Sequence, residues 1–100
     1  MFGLSDKTIS MINEIFSKYS GIDKVVIYGS RARGDYKNGS DIDLTIYGNI
    51  SVSDEVRISG LIYDLPIPYM CDISLFKNIK NENLLEHIER TGKIFYERKN

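Results

Sequence analysis

Cysteine is almost missing from this chain. Cys71 is the single one among 100 residues, so it can form neither an internal disulfide nor half of a thiolate metal cage. It reads as a small buried hydrophobe. A surplus of charge is missing too: 13 Lys and Arg against 14 Asp and Glu leave a net −1. With no global basic field, a dedicated duplex-DNA binder is disfavoured, while a local phosphate site needs only a few placed donors. No stretch approaches the roughly 20 apolar residues of a membrane span. The start, Met1-Phe2-Gly3-Leu4-Ser5-Asp6, shows no basic region leading into an apolar run. No signal peptide is expected, and the expected location is cytoplasmic. Repeats and low-complexity segments are absent.

What remains is ordinary for one globular domain, residues 1–100. The apolar fraction is 42% and the charged fraction 27%. Ser5 to Tyr19 reads as an amphipathic helix capped by Ser5, with Ile9, Ile12, Phe16 and Tyr19 on one face and Gly21 ending it. Lys24 to Tyr28 is a β-branched run that stops at Gly29-Ser30, a buried strand feeding a special turn. Residues 31–40 are polar and form a loop or a single helical turn. Ile42 to Tyr47 is a second strand, closed by Gly48-Asn49.

Ser51 to Leu65 reads as a helix, with Val52, Val56 and Ile62 near one face, stopped by Pro66 and Pro68. Tyr69 to Phe76 is a third strand. Its alternation puts Met70, Asp72 and Ser74 on one face and Cys71, Ile73 and Leu75 on the other. Asn81 to Arg90 is a last helix with Leu84, Leu85 and Ile88 inward; its surplus apolar residues leave room for a dimer or partner face. Lys93 to Tyr96 adds an edge strand. The order α-β-β-α-β-α-β predicts a small α/β (α+β) domain with helices on a mixed sheet. About a dozen residues join the first two strands, which is short for a parallel crossover. Antiparallel neighbours are therefore expected, with Gly29-Ser30 beside Asp41 and Asp43.

Asp41 and Asp43 sit two apart on a strand, so both leave the same face, with Cα atoms roughly 6.5–7 Å apart. At ~6 Å and an effective dielectric of ~20, their repulsion is near 3 kcal/mol. Water alone can offset that on an exposed face. Three neighbours point further. Glycine lets backbone N–H groups approach a phosphate, and the Ser30 hydroxyl can donate to one. Arg31 and Arg33 follow the turn, and arginine forks suit phosphate oxygens, although pairing with Asp35 is open to them as well. Asp72 stands in an apolar strand and needs a partner. A shared cation is one such partner, since Mg²⁺ is held by a few carboxylates plus substrate phosphates. A two-metal pair suits phosphoryl or nucleotidyl transfer. Elsewhere, His87 reads as a surface or packing residue, Tyr28 as packing with a possible base contact, and Lys77 and Lys80 as solvated charges.

Gly29-Ser30, ten intervening residues and Asp41-Ile42-Asp43 resemble the signature of the DNA polymerase beta-like nucleotidyltransferase superfamily. The fuller run, Gly29-Ser30-Arg31-Ala32-Arg33-Gly34-Asp35 through Gly39-Ser40-Asp41-Ile42-Asp43-Leu44, is similar to the minimal nucleotidyltransferase (MNT) branch. Asp72 in Cys71-Asp72-Ile73 stands where that family has its third carboxylate. The resemblance covers nearly the whole chain and implies a nucleotidyltransferase fold. It implies that Asp41 and Asp43 bind two Mg²⁺ ions. Asp72 would bind one ion and take the acceptor's proton, and Gly29 and Ser30 would hold the triphosphate. Arg31 and Arg33 would contact phosphate or acceptor. It further implies ATP as substrate and a HEPN-domain toxin as partner, adenylylated on a hydroxyl by its antitoxin. Two alternatives stay open: a non-catalytic module that neutralises a HEPN partner by contact, and transfer to a small molecule.

Overall fold

The computed structural model describes residues 1–99. Helix α1 spans Asp6–Ser17, strand β1 Ile22–Tyr28, the single turn α2 Ser30–Arg33 and strand β2 Ile42–Gly48. Helix α3 spans Val52–Tyr63, strand β3 Cys71–Leu75, helix α4 Glu82–Thr91 and strand β4 Lys93–Glu97. The four strands form one mixed sheet in the order β3-β2-β1-β4. β1 is antiparallel to both β2 and β4, and β2 is parallel to β3. The parallel pair is reached through α3, as a crossover requires.

Local chemistry starts α1, α3 and α4. The Ser5 hydroxyl accepts from the Thr8 N–H, Ser51 from Asp54 and Asn81 from Leu84. Each fills one of the orphan donors of a helix start. The core lies between one sheet face and helices α1 and α3. Ile12 and Phe16 of α1 and Ile58 of α3 meet Val25, Ile27, Ile42 and Leu44 there, all fully buried. The opposite face is covered only in part, by α4 over β1. There Ile88 is buried, and a Cβ on Gly92 would come within 2.5 Å of Val26 Cγ1.

Two expectations about the scaffold need correction. Gly21 does not end α1, which stops at Ser17 with Lys18 as its right-handed cap. Gly21 instead lets β1 begin against the end of β2: a Cβ there would fall 2.4 Å from the Asn49 carbonyl oxygen, and Asn49 N–H donates to the Gly21 carbonyl at 2.9 Å. Val52 and Val56 do not face the core with Ile62; they are 58% and 67% exposed. The inward stripe is Ile58 and Ile62. Two residues turn a helix by about 200°, so Val56 points away from the side that Ile58 defines. Among the described residues, no helix is long and apolar enough to cross a membrane.

Candidate functional site

The register of the sheet builds the site. Tyr28 pairs with Asp43 across β1 and β2, and Asp43 pairs with Asp72 across β2 and β3. Because paired residues share a face, Tyr28, Asp43 and Asp72 form one row across three strands on the face away from the main core. Neighbouring strands lie about 4.8 Å apart, so the two carboxylates are immediate neighbours. Asp41 stands just outside β2. The Ile42 N–H donates to the Met70 carbonyl at 2.9 Å, which ties the segment carrying Asp41 to the start of β3.

Electrostatics mark Asp43 as the centre of this group. Burial raises its pKa above the ordinary carboxylate value, and the charges of Asp72 and Asp41 raise it further. Among the described residues, none of the three carboxylates forms an ion pair with a basic side chain. A half-buried anion beside two others, with no cation from the protein, is a site that favours an added cation. Among the described residues, no three side chains are already drawn together as a metal-ligand cluster. An open row of oxygen donors still fits magnesium, which keeps several waters and completes its shell with substrate phosphate.

Gly29 is required here for two separate reasons. Its backbone has φ +76°, which side chains with a Cβ rarely adopt. A Cβ would also lie 2.5 Å from Asp43 Oδ2. The turn can press against the carboxylate only because it carries no side chain. Ser30 follows at once and opens α2, whose Ala32 and Arg33 N–H groups bond back to the Gly29 carbonyl. The expected nearness of Gly29 to Asp43 is therefore present.

A polymerase beta nucleotidyltransferase family model matches residues 10–100. The chain belongs to this family. A candidate protein adenylyltransferase from Methanocaldococcus jannaschii is 50% identical to this chain over 40 residues. That match spans 39% of the present chain and 40% of the relative's own length. Among solved structures, a chain of a toxin–antitoxin complex with AMP-PNP superimposes with TM-score 0.72 at 13% identity, covering 96% of this chain and 76% of that one. A chain from a complex of tri-AMPylated Shewanella oneidensis HEPN toxin with MNT antitoxin gives 0.69 at 10% identity, covering 95% and 74%. At such identities the likeness is one of fold, and it agrees with the mixed sheet described above.

The two arginines of α2 part company. Arg33 is partly exposed; it pairs with Asp35 at 3.4 Å, and its Nη1 lies 3.3 Å from His87 Nε2. Arg31 points inward and is 3% exposed. Its Nε donates to the Ser40 carbonyl at 3.0 Å and its Nη1 to the Phe2 carbonyl at 2.9 Å. The phosphate contact expected of Arg31 does not match this placement, because two backbone carbonyls and its burial hold the guanidinium inside the fold.

Several contacts escaped the sequence reading. Thr45 and Ser74 face each other one row behind the carboxylates: Thr45 Oγ1 donates to the Ser74 carbonyl and Ser74 Oγ to the Leu44 carbonyl, each at 3.5 Å. The alternation along β2 and β3 was the available signal. Burial raises the pKa of Tyr28, the charges of Asp43 and Asp72 add to this, and Ser74 acts the other way. The contact of His87 with Arg33 joins residues 54 positions apart and left no local trace.

Proposed function

We propose that the chain transfers AMP from ATP to a hydroxyl of a HEPN-domain partner protein, as the antitoxin of a toxin–antitoxin pair. The observation that carries this reading is the Asp43–Asp72 pair with Gly29 pressed against Asp43 and no basic partner. The family supports the reaction class. The named relative and the AMP-PNP and tri-AMPylated complexes support the nucleotide and the acceptor. A cytoplasmic setting, where ATP and such a partner meet, belongs to the same reading.

Asp41 and Asp43 would hold two magnesium ions, with Asp72 on one of them. When bound, those ions polarise the phosphate oxygens and lower the pKa of the acceptor hydroxyl. Gly29 offers backbone N–H access to the triphosphate, and the Ser30 hydroxyl donates to it. Arg33, at the open end of α2, contacts phosphate or acceptor. The acceptor oxygen forms a bond to the α-phosphorus as the bond to the bridging oxygen breaks. Pyrophosphate leaves with that electron pair, and Asp72 takes the hydroxyl proton.

The test uses labelled ATP, Mg²⁺ and the protein encoded beside this chain's gene, which this reading expects to be a HEPN-domain protein. Label is expected on the partner with the wild type and on none with Asp41→Asn or Asp43→Asn. If both variants still neutralise the partner as well as the wild type, contact alone is the mechanism.

A further inference from the structure

Arg31 is the one buried charged side chain among the described residues. Buried charges ordinarily pair with an opposite charge. No carboxylate lies within ion-pair distance of Arg31 among the described residues. Its charge is met by the carbonyls of Ser40 and Phe2 and by two aromatic faces. The guanidinium carbon lies 5.1 Å from the Tyr36 ring centre and 4.7 Å from that of Tyr69. This is the use to which a planar, five-donor fork is suited and a lysine is not.

The four contacts come from separate stretches of chain. Ser40 directly precedes Asp41. Tyr69 directly precedes Met70, whose carbonyl receives the Ile42 N–H, and lies three residues before Asp72. Residues 34–39 are all exposed, and a cavity of about 240 Å³ lies between residues 36–39 and Pro68-Tyr69. The guanidinium therefore anchors an otherwise outward-facing loop, and space for that loop to shift lies beside it.

We propose that Arg31 is a positioning residue for the acidic row: through the Ser40 carbonyl and the Tyr69 ring it sets where Asp41 and Asp72 stand relative to Asp43. Its catalytic consequence rests on the nucleotidyl transfer proposed above, whereas the clamp itself can be measured without turnover. Arg31→Lys keeps the charge and loses the fork; Arg31→Ala leaves a hole of guanidinium shape.

Both variants are measured for kcat, for KM of ATP and for hydrogen exchange of the Ser40 and Ile42 amides. Displacing a reacting group by about 1 Å can cost ~10²-fold, so kcat per folded molecule is expected to fall about 10- to 100-fold. KM for ATP should change less than about twofold, because no substrate contact is lost. The Ser40 and Ile42 amides should exchange faster while those in α1 stay protected. Guanidinium at low, non-denaturing concentration should restore Arg31→Ala, and methylammonium should not. A raised KM at unchanged kcat overturns the proposal in favour of a phosphate contact. Unchanged kcat and KM with a lowered Tm overturns it in favour of plain stability. If the wild type transfers no nucleotide, the function proposed above fails, and unaltered exchange at Ser40 and Ile42 then separately overturns the clamp. If Arg31→Ala does not fold, Arg31→Lys carries the same readouts.

Discussion

The two faces of β2 follow different rules within seven residues. Ile42, Leu44 and Ile46 are sealed into the core, each among many apolar neighbours. Asp43, Thr45 and Tyr47 point the other way, and each meets a few particular partners. Asp43 meets Gly29 and Asp72, Thr45 meets Ser74, and Tyr47 stacks on Phe76 at 4.2 Å with Lys24 Nζ 4.6 Å over its ring. The core face depends on volume and burial, which many side chains can supply. The site face depends on which atom sits where. On the proposed reading, stability and chemistry are carried by alternate residues of one strand, and substitutions can separate them.

The largest expected effect is on the core side. Leu44→Ala should lose about 2–5 kcal/mol by leaving a cavity. In a domain of this size each kcal/mol lowers Tm by roughly 4–8 °C. Transfer per folded molecule should persist; a matching loss of kcat at temperatures where the variant is folded would break the comparison. On the site side, Asp43→Asn should reduce transfer about 10²–10³-fold, the scale of losing one charge-stabilising group. Its Tm should hold or rise, because a like-charge contact is removed. A destabilised Asp43→Asn would show that the carboxylate supports the fold as well.

A smaller effect follows from the raised pKa of Asp43, caused first by burial and then by Asp72 and Asp41. The folded protein holds this proton more tightly than the unfolded chain, whose ordinary value is 3.8. Its contribution to stability is present in full below that value and is lost as pH rises through the folded pKa. Melts of metal-free protein at increasing pH should show this decline, and Asp43→Asn should lack it. An identical pH profile for both proteins would remove Asp43 as the source. The smallest effect separates two adjacent residues of β3. Burial, then the charge of Asp41, pushes the Cys71 thiol to about 11 against an ordinary 9.0, with Arg31 pulling the other way. In metal-free protein, iodoacetamide near neutral pH should modify it about 100-fold more slowly than an unperturbed thiol, because only the thiolate reacts. Modification at the rate of an exposed thiol would place Cys71 with the site face instead.

Much of this contrast was legible in the sequence. The alternation of β2 and the short link from β1 gave the antiparallel pairing and the nearness of Gly29 to Asp43, because strand period and link length are local constraints. Ser5 gave its helix start for the same reason. The inward face of α3 was misread because the helix has apolar residues on two sides, and only packing decides between Val56 and Ile58. The fate of Arg31 was hidden further, since Phe2, Tyr36, Ser40 and Tyr69 converge on it only after the chain has folded. Ten residues of polar loop say nothing about which of two arginines turns inward.

The contact of Gly29 with Asp43 also governs how this gene can drift. Gly34 and Gly39 have positive φ but open space around a would-be Cβ, so asparagine, which tolerates that conformation, is an available neighbour. Position 29 is held more tightly, because a Cβ there would also lie 2.5 Å from Asp43 Oδ2 and force the carboxylate aside. Any other residue there must move the Asp43 carboxylate, so this one codon bears on the placement of Asp43 as well as on the turn.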